Sequence, residues 1–293
     1  MSASGPKLFQ PVKVGRLELK HRVVLAPLTR DRADTEHVHT DLGIEYYVQR
    51  ASTPGTLLIS EGTFIVQKAG SDRNVPALET DAQLAAWKKI TDAVHAKGSY
   101  IYAQLWAQGR QSDPKDLAKD GHEYVSASDF PLERMAVNPR PLTTAEVKDP
   151  WGFFGGMRMT DPKPQFSHII ENIAKSHSDL AYIHVVEPRV QGNSDRTVQP
   201  GESNDFIRDI WSPRPLLSAG GYNRELGLKA AEKGDIVVYG RYFISNPDLP
   251  FRLEKNIPLT PYNRDTFYLT LSPIGYTDYP FATEQGKAER TSL

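Results

Sequence analysis

The sequence predicts an α/β domain built around a parallel β-sheet. Short runs of β-branched and apolar residues alternate with longer amphipathic segments along the 293 residues. Most of the short runs are apolar almost throughout, which is typical of strands covered by helices on one face and by a core on the other. No linker rich in Ser, Gly or Pro and no low-complexity tract interrupts this alternation. We therefore expect residues 1–293 to form a single domain.

The predicted strands and helices follow one another in regular order. The strand candidates are "VVLAPL" (23–28), "TLLISEG" (56–62), "SYIYAQLW" (99–106), "LAYIHVVEP" (180–188), "PLLSAGG" (215–221) and "DIVVYGR" (235–241). Helices are predicted near Ile44 and Phe206, and over the segments that end at Gly98, His177 and Gly234. The helix before Gly98 has the clearest pattern, because its apolar residues recur at three- and four-residue spacing and Gly98 suits a C-cap.

One region breaks the alternation. Thr143 and Glu146 stand at the spacing of a capping box, which predicts the start of a helix. Pro150 follows four residues later and leaves no room for that helix. An eight-stranded barrel needs eight strand–helix units, and only six are present. About two strands are therefore missing between Trp106 and Leu180.

Composition argues against several classes of protein. The formal net charge of −1 gives no reason to expect a nucleic acid or an anionic membrane as a partner. The absence of cysteine excludes disulfides, thiolate-bound iron–sulfur clusters and cysteine nucleophiles. No apolar signal core opens the sequence and no run is long enough to span a bilayer, so we expect a cytoplasmic protein.

Glycine and polar residues gather where the predicted strands end. They are Thr29, Glu61, Gly62, Gln104, Gly220, Gly221, Gly240 and Arg241. The carboxyl ends of parallel strands form the active face of α/β barrels. The glycine turn at 220–221 before a helix, together with Gly240 and Arg241, has the chemistry of a phosphate site. The alternative is that the glycines permit tight turns and that Arg241 pairs at the surface.

Other polar residues carry weaker signals. Gln104 offers a donor and an acceptor that suit the edge of a flat heterocycle, and Tyr102 and Trp106 share its face of the strand. A Gln satisfied by the barrel backbone explains the same pattern. His37, His39 and the other histidines lack metal-ligand spacing, and we interpret them as structural or solvated.

Several segments, in order from about residue 7 to residue 281, resemble the old yellow enzyme family of flavin-dependent ene-reductases. They are "LFQPVKVGRLELKHRVVLAPLTRDRA", "AQLWAQGR", "PWGFFGGMRMTDP", "LAYIHVVEPR", "VVYGRYFISNPDLPFRL" and "DTFYLTLSPIGYTDYPF". The resemblance implies a TIM-type (β/α) barrel, related to the FMN-binding (β/α)8 fold and shortened by about two strands. It also implies non-covalent FMN, NADPH or NADH as hydride donor, and an electron-poor alkene or a specialised metabolite as substrate.

The resemblance assigns roles residue by residue. Pro27, Leu28 and Thr29 would lie against the isoalloxazine, with the Thr29 hydroxyl tuning its potential. Gly62 would leave room for the ring, and Gln104 would bind its pyrimidine edge. The phosphate would be held by Gly220, Gly221, Gly240 and Arg241. The substrate pocket would contain Trp106, Phe267 and Tyr268.

The same resemblance explains the interrupted helix. In the family, a strand follows that ends in a His-Gly-Ala-Asn or His-Gly-Ala-His motif, and a later strand carries an Arg. Here the chain passes from Val147-Lys148-Asp149 directly to Pro150-Trp151-Gly152. The pair that polarises the alkene, the tyrosine that protonates the product and the flavin-contacting Arg are all absent. The exposed strand edges would pair with each other, be covered by another chain as in a homo-oligomer, or stay open.

Three functions follow as hypotheses. The first is an FMN oxidoreductase with a rebuilt or impaired pocket, in which Tyr102, Tyr268 or His122 replaces the lost acid. The second is a non-redox catalyst, such as an isomerase or cyclase, on the same scaffold. The third is a non-catalytic truncated paralogue. Flavin bound in stoichiometric amount would favour the oxidoreductase, and catalysis without flavin would favour the non-redox catalyst. A chain that does not fold without a partner would favour the non-catalytic paralogue.

Overall fold

The computed structural model describes residues 5–126, 128–129, 137–141, 161–191 and 194–282. The strands in these ranges are β1 (Val12–Val14), β2 (Leu17–Leu19), β3 (Val23–Leu25), β4 (Leu57–Phe64), β5 (Tyr100–Trp106), β6 (Val125–Ser126), β7 (Arg140–Pro141), β8 (Ile183–Val186), β9 (Val190–Gln191), β10 (Ser194–Asp195), β11 (Leu216–Ala219) and β12 (Ile236–Tyr239). The α-helices are α1 (Asp41–Arg50), α2 (Asp81–Ala96), α3 (Pro114–Lys119), α4 (Lys163–Ser176), α5 (Asp205–Trp211), α6 (Arg224–Glu232), α7 (Arg241–Ser245) and α8 (Leu249–Lys255). Among the residues described, no helix has both the length and the apolarity that a membrane span requires.

Six strands form one parallel sheet in the order β5-β4-β3-β12-β11-β8. Five predicted strand segments each contain one of these six strands, and the segment 56–62 overlaps β4, which continues to Phe64. The predicted parallel α/β fold is therefore confirmed. Val24 of β3 lies opposite Val238 of β12 on one side and opposite Leu57 of β4 on the other. Within this sheet, the last strand in sequence (β12) therefore lies beside the first (β3), as in a closed barrel. The sheet is open between its edge strands, β5 and β8.

The opening of the barrel lies where the sequence lacks two strand–helix units. β5 and β8 are the two edges of the sheet, and they do not pair with each other. Tyr102 of β5 and Tyr182, just before β8, stack with their ring centroids 6.2 Å apart and their planes within 15°. The two edges are thus in contact through side chains and not through backbone hydrogen bonds. Of the three outcomes considered for the edges, the described chain adopts the open sheet, and covering by another chain stays a prediction.

The core has a layer on each face of the curled sheet. Between the sheet and the surrounding helices, the buried side chains include Val23, Leu58, Ile90 and Val237. Inside the curl, Val24, Leu57 and Val238 pack with the β1–β2 hairpin, which closes the bottom of the barrel. Tyr102 and Tyr182 pack against this inner layer, so the barrel interior stays apolar although two strands are missing.

Helix α2 shows how strongly the sequence specifies one of these helices. The Thr80 hydroxyl accepts from the Gln83 backbone N–H, and the Gln83 side chain accepts from the Thr80 backbone N–H. Trp87, Ile90 and Val94 are buried on its inner face, as the apolar spacing predicted. This reciprocal capping satisfies two N–H groups that a helix start otherwise leaves free.

Replacing Thr80 by Ala is expected to lower the free energy of unfolding by about 1 kcal/mol, because the cap hydroxyl is lost. Urea unfolding followed by circular dichroism measures the change. Thr91→Ala in the same helix lies outside the cap and serves as the matched control. Equal losses in the two variants would contradict a specific role for the cap.

Candidate active site

The predicted site residues meet at the carboxyl edge of the sheet through successive contacts. A Cβ placed at Gly221 would lie 3.4 Å from Nη2 of Arg241, and one at Gly240 would lie 3.4 Å from Cδ2 of Leu28. Two residues beyond Leu28, the Arg30 backbone N–H donates to the Glu61 carboxylate over 3.3 Å. Residues from β11, β12, β3 and β4 therefore follow one another around a single rim.

The β3 end of this rim is the segment Pro27–Leu28–Thr29, which is half-buried. It follows Ala26, whose N–H donates to the carbonyl of Tyr239 on the neighbouring strand over 2.9 Å. Leu28 contacts both layers of the core. The segment is thus anchored on both sides immediately before Thr29, the residue that the resemblance places beside the flavin.

The corner predicted to bind phosphate, called here the phosphate corner, is built from two glycines and a group of charged and aromatic residues. Gly220 and Gly221 adopt φ of +118° and +62°, a region that side chains rarely allow. The Arg241 guanidinium forms a two-pronged contact with the Asp195 carboxylate, with Nη1 2.8 Å from Oδ2. Hydrogen bonding from Arg241 lowers the pKa of Asp195, and the same contact raises the pKa of Arg241.

Two further residues complete this corner. The Tyr262 hydroxyl lies 3.3 Å from Nη1 of Arg241, and Nη2 of Arg264 lies 3.8 Å from Oδ2 of Asp195. Two guanidinium groups therefore face one exposed carboxylate beside a glycine turn. The forked contact shows the orientation in which the Arg241 guanidinium binds a carboxylate, and it also matches the alternative in which Arg241 pairs at the surface. The corner fits an anionic group such as a phosphate.

The start of α6 contributes less than the sequence suggested. Its N-cap, Asn223, accepts the Leu226 N–H with its own side chain over 2.9 Å. One of the free N–H groups expected to face an anion is thus already satisfied. The start of α6 therefore offers one N–H group fewer to an anion, and the charged groups of the corner are Arg241, Arg264 and Asp195.

Gly62 and Gln104 are paired neighbours in β4 and β5, next to a register shift in β4. A Cβ at Gly62 would come within 2.6 Å of the Trp106 ring, so this glycine makes room for Trp106 in the structure. The Trp106 ring also stacks on Phe64 at 5.3 Å. The Gln104 backbone N–H donates to the Ser60 hydroxyl over 2.9 Å, which fixes the strand that carries its amide.

The aromatic residues predicted as proton donors or pocket residues, besides Trp106, occupy different environments. Tyr102 packs against the inner layer of the barrel and stacks on Tyr182. Phe267 is buried, and its carbonyl accepts from Arg30 and Arg32. Tyr268 is 51% exposed. Tyr268 is thus the accessible hydroxyl of the candidate proton donors Tyr102 and Tyr268.

A buried carboxyl at the rim had no assigned role in the sequence. Glu61 is 1% exposed, and its Oε1 lies 3.5 Å from the Tyr47 hydroxyl, which accepts the Glu61 backbone N–H over 3.0 Å. Burial raises the pKa of Glu61 to about 8, although the Arg30 N–H and the charges of Arg30 and Arg32 oppose this. His39 Nε2 is 3.9 Å from Oε1. Because burial lowers the pKa of His39 to about 3, this contact is not an ion pair at neutral pH.

The histidines and the cavities do not form a second centre. His37 and His39 are buried rather than solvated, and among the described residues no cluster of His, Asp and Glu suits a metal ion. One cavity of about 330 Å³ is lined by polar residues that include His37 and Arg73. Another of about 350 Å³ lies beside Arg189 and Arg208. None of the predicted flavin-site residues lines either cavity.

Comparison with known proteins is consistent with this geometry. The sequence model described as "NADH:flavin oxidoreductase / NADH oxidase family" matches residues 7–151 and 147–260. The two matches overlap at residues 147–151, directly after the helix start predicted from Thr143 and Glu146, which lies outside the described residues.

One similar curated protein is "Chanoclavine-I aldehyde reductase fgaOx3" of Penicillium roqueforti (strain FM164). It is 39% identical over 366 aligned positions, which cover 96% of this chain and 98% of that protein. Since this chain has 293 residues, at least 73 of those positions have no residue here. Another, "Probable inactive dehydrogenase easA" of Claviceps fusiformis, is 34% identical, and the alignment covers 96% of each chain. The crystal structure of Old Yellow Enzyme from Pichia sp. AKU4542 superposes with a TM-score of 0.81 at 29% identity, covering 95% of this chain and 94% of that one.

Proposed function

Because this chain belongs to the NADH:flavin oxidoreductase / NADH oxidase family, in its old yellow enzyme group, and is an FMN-dependent NAD(P)H oxidoreductase, we propose that it keeps the flavin-binding half of the site. We further propose that it reduces an electron-poor alkene through a rebuilt substrate pocket. The bound FMN supplies hydride transfer between NAD(P)H and that substrate.

The observation that carries the proposal is the continuous rim of contacts. It joins Gly221 to Arg241, Gly240 to Leu28, and the residue after Thr29 to the end of β4. In this reading Arg241 and Arg264 balance the phosphate charge, and the Gln104 amide binds the pyrimidine edge. Thr29 offers a hydroxyl at the anchored end of β3. All of these residues lie outside the region of the sequence where the family segment is missing.

The substrate half is the part that differs from the family. The segment absent between Val147 and Pro150 would have carried the pair that polarises the alkene, so other donors must orient the substrate. Tyr268 is exposed at the rim, next to the buried Phe267, and we assign it the proton donation. One relative is named as an aldehyde reductase, which makes a conjugated aldehyde from specialised metabolism the substrate class that we propose.

The direct test is an absorption spectrum of the purified protein, followed by anaerobic addition of NADPH. We expect bound yellow flavin that bleaches on addition, and reoxidation by a conjugated aldehyde. A folded, colourless protein that FMN does not restore would overturn the proposal. A conversion catalysed by that protein without flavin would support the isomerase or cyclase hypothesis, and an inert one the non-catalytic paralogue.

Two substitutions at the phosphate corner test whether Arg241 attracts the FMN phosphate and whether Asp195 competes with that phosphate for Arg241. Arg241→Gln is expected to weaken FMN binding about 10–100-fold, since a charge-assisted hydrogen bond is worth about 1.5–3 kcal/mol. Asp195→Asn is expected to tighten it several-fold, because it removes the carboxylate that holds the same guanidinium. Quenching of FMN fluorescence on titration with the apoprotein measures both dissociation constants.

Salt provides the control for these variants. The gain from Asp195→Asn should shrink as ionic strength rises, because exposed charges are screened. Weaker FMN binding by Asp195→Asn would mean that the carboxylate supports the corner rather than competing with the phosphate. An unchanged constant for Arg241→Gln would remove Arg241 from the phosphate site.

A further inference from the structure

The segment 266–275, called here the 266–275 loop, carries two of the three predicted pocket residues, Phe267 and Tyr268. Its ends lie close together, because a Cβ at Gly275 would come within 1.9 Å of the Thr266 hydroxyl oxygen. Gly275 has φ of +63°, so a glycine is needed there for conformation as well as for space. The loop is therefore a compact Ω-type loop that is closed at its neck.

The Arg32 guanidinium binds the backbone of this loop. The carbonyls of the loop that accept its hydrogen bonds belong to Thr266 (2.9 Å), Phe267 (2.7 Å), Ser272 (3.1 Å) and Ile274 (3.1 Å). A fifth bond goes to the carbonyl of Arg30. An arginine has five N–H donors in a rigid fork, and here each forms a hydrogen bond.

Arg30 adds a second attachment from the same strand end. Its Nε donates to the Phe267 carbonyl over 3.0 Å, and its Nη2 donates to the Gly275 carbonyl over 2.7 Å. The backbone of residue 31 also takes part, since its carbonyl accepts the Leu271 N–H over 3.3 Å. Three consecutive residues directly after Thr29 thus hold the loop.

The loop exposes apolar side chains while its backbone is held from inside. The exposed side chains are those of Tyr268, Leu269, Leu271 and Ile274. Arg30 and Arg32 are both almost fully buried, and Asp31 and Glu61 are their acidic neighbours. Most hydrogen bonds of the two guanidinium groups go to backbone carbonyls, whose dipoles therefore contribute to their stabilisation. The buried guanidinium and the loop carbonyls therefore fix each other's positions, because each needs the other as its hydrogen-bond partner.

We propose that Arg32, assisted by Arg30, is a positioning residue that fixes Tyr268 and the apolar side chains of the 266–275 loop relative to Thr29. This rests on the proposed function in placing Thr29 beside the flavin and Tyr268 beside the substrate. In this proposal Arg32 contacts neither the flavin nor the substrate, and it acts through the backbone of the loop.

The first experiment measures amide hydrogen exchange in Arg32→Lys. Lysine has three donors, so at least two of the five carbonyls lose their partner. We expect exchange in residues 266–274 to rise about tenfold or more, and the rest of the barrel to change little. Arg50→Lys is the matched control, because Arg50 is equally buried and binds the carbonyls of Tyr46, Ile244 and Tyr276 but none in 266–274. Unchanged exchange in 266–274 would overturn the proposal.

The second experiment is a double-mutant cycle with Tyr268→Ala on the oxidative half-reaction. With a conjugated aldehyde as oxidant, Arg32→Lys is expected to lower the rate about tenfold, and FMN affinity should change less than about twofold. In the Tyr268→Ala background, the effect of Arg32→Lys should fall below about twofold, because the residue it positions is gone. Equal effects in both backgrounds would contradict positioning of Tyr268.

The two failures can be told apart. If the wild-type protein binds no FMN, the proposed function fails, and the exchange experiment alone then decides whether Arg32 holds the loop. If FMN binds and bleaches but Arg32→Lys behaves as wild type, the positioning role fails and the proposed function stands.

Discussion

Inserting the missing segment between Asp149 and Pro150 is expected to raise the rate of alkene reduction by about 10²–10³ for each polarising donor that it restores. The physical reason is that negative charge develops on the carbonyl oxygen as hydride reaches the alkene. Preorganised donors stabilise that charge in the transition state more than in the ground state. The donor segment is the corresponding stretch of the Penicillium roqueforti relative, which is aligned over almost its whole length.

The measurement is stopped-flow reoxidation of the reduced protein by a conjugated aldehyde. Reduction by NADPH is followed in parallel and should change less, because the rim residues proposed to bind the flavin lie outside the insertion, which restores the flavin-contacting Arg of the family. The matched control carries the same insertion with its polarising pair replaced by Ala, which restores the strands but not the donors. If the wild-type chain already reduces the aldehyde as fast as the insertion variant, its own residues supply the polarising donors.

Glu61→Gln is expected to make the protein more stable than the wild type at alkaline pH and nearly equal to it at pH 5. Burial raises the pKa of Glu61 from 4.5 to about 8 in the folded state. The folded state therefore holds a proton that the unfolded state releases above pH 4.5, so the wild type loses stability as pH rises from about 4.5 to about 8. Glutamine keeps the shape and cannot ionise. Each pH unit of this window corresponds to about 1.4 kcal/mol, so the difference can reach several kcal/mol by pH 8.5.

Urea unfolding at pH 5, 7 and 8.5 measures this difference. The groups that face Glu61 are Arg30, Arg32, Asp31, Tyr47 and His39. Burial also raises the pKa of Asp31, to about 6, and lowers that of His39, to about 3. These contributions are common to both proteins and largely cancel in the comparison. Glu79→Gln, at the surface, is the control and should show no such trend. A constant difference between Glu61→Gln and wild type across the three pH values would show that Glu61 is ionised throughout.

The parts of the fold that could be predicted from the sequence are those with strong local patterns. Continuous apolar runs identified the six sheet strands, and three–four spacing identified α2 and its buried face. The short pieces were missed: the β1–β2 hairpin has three residues in each strand, and α3, α7 and α8 have five to seven residues. Such segments are too short for periodicity to show.

The candidate site also has features that could be predicted from the sequence and features that could not. Gly221, Gly240 and Arg241 could be grouped because strand ends of a parallel sheet meet at one edge, and contacts around the rim join them in the structure. The pairing of Arg241 with Asp195, 46 residues away, had no signal in the sequence. The Arg30–Asp31–Arg32 triplet was a visible cue, because two arginines directly after a buried strand need partners. No pattern in the sequence indicates that these partners are carbonyls more than 230 residues further on.

The sequence by itself determined the alternation of strands and helices, the family, and the place where two strand–helix units are absent. These depend on local spacing and on residues that are neighbours along the chain. Only the tertiary structure decided that the barrel stays open with Tyr102 against Tyr182, that Glu61 is buried, and that Arg32 holds the loop of Tyr268. Those features depend on which distant groups share a space shielded from water, where burial and the supply of hydrogen-bond partners set the charge and position of each side chain.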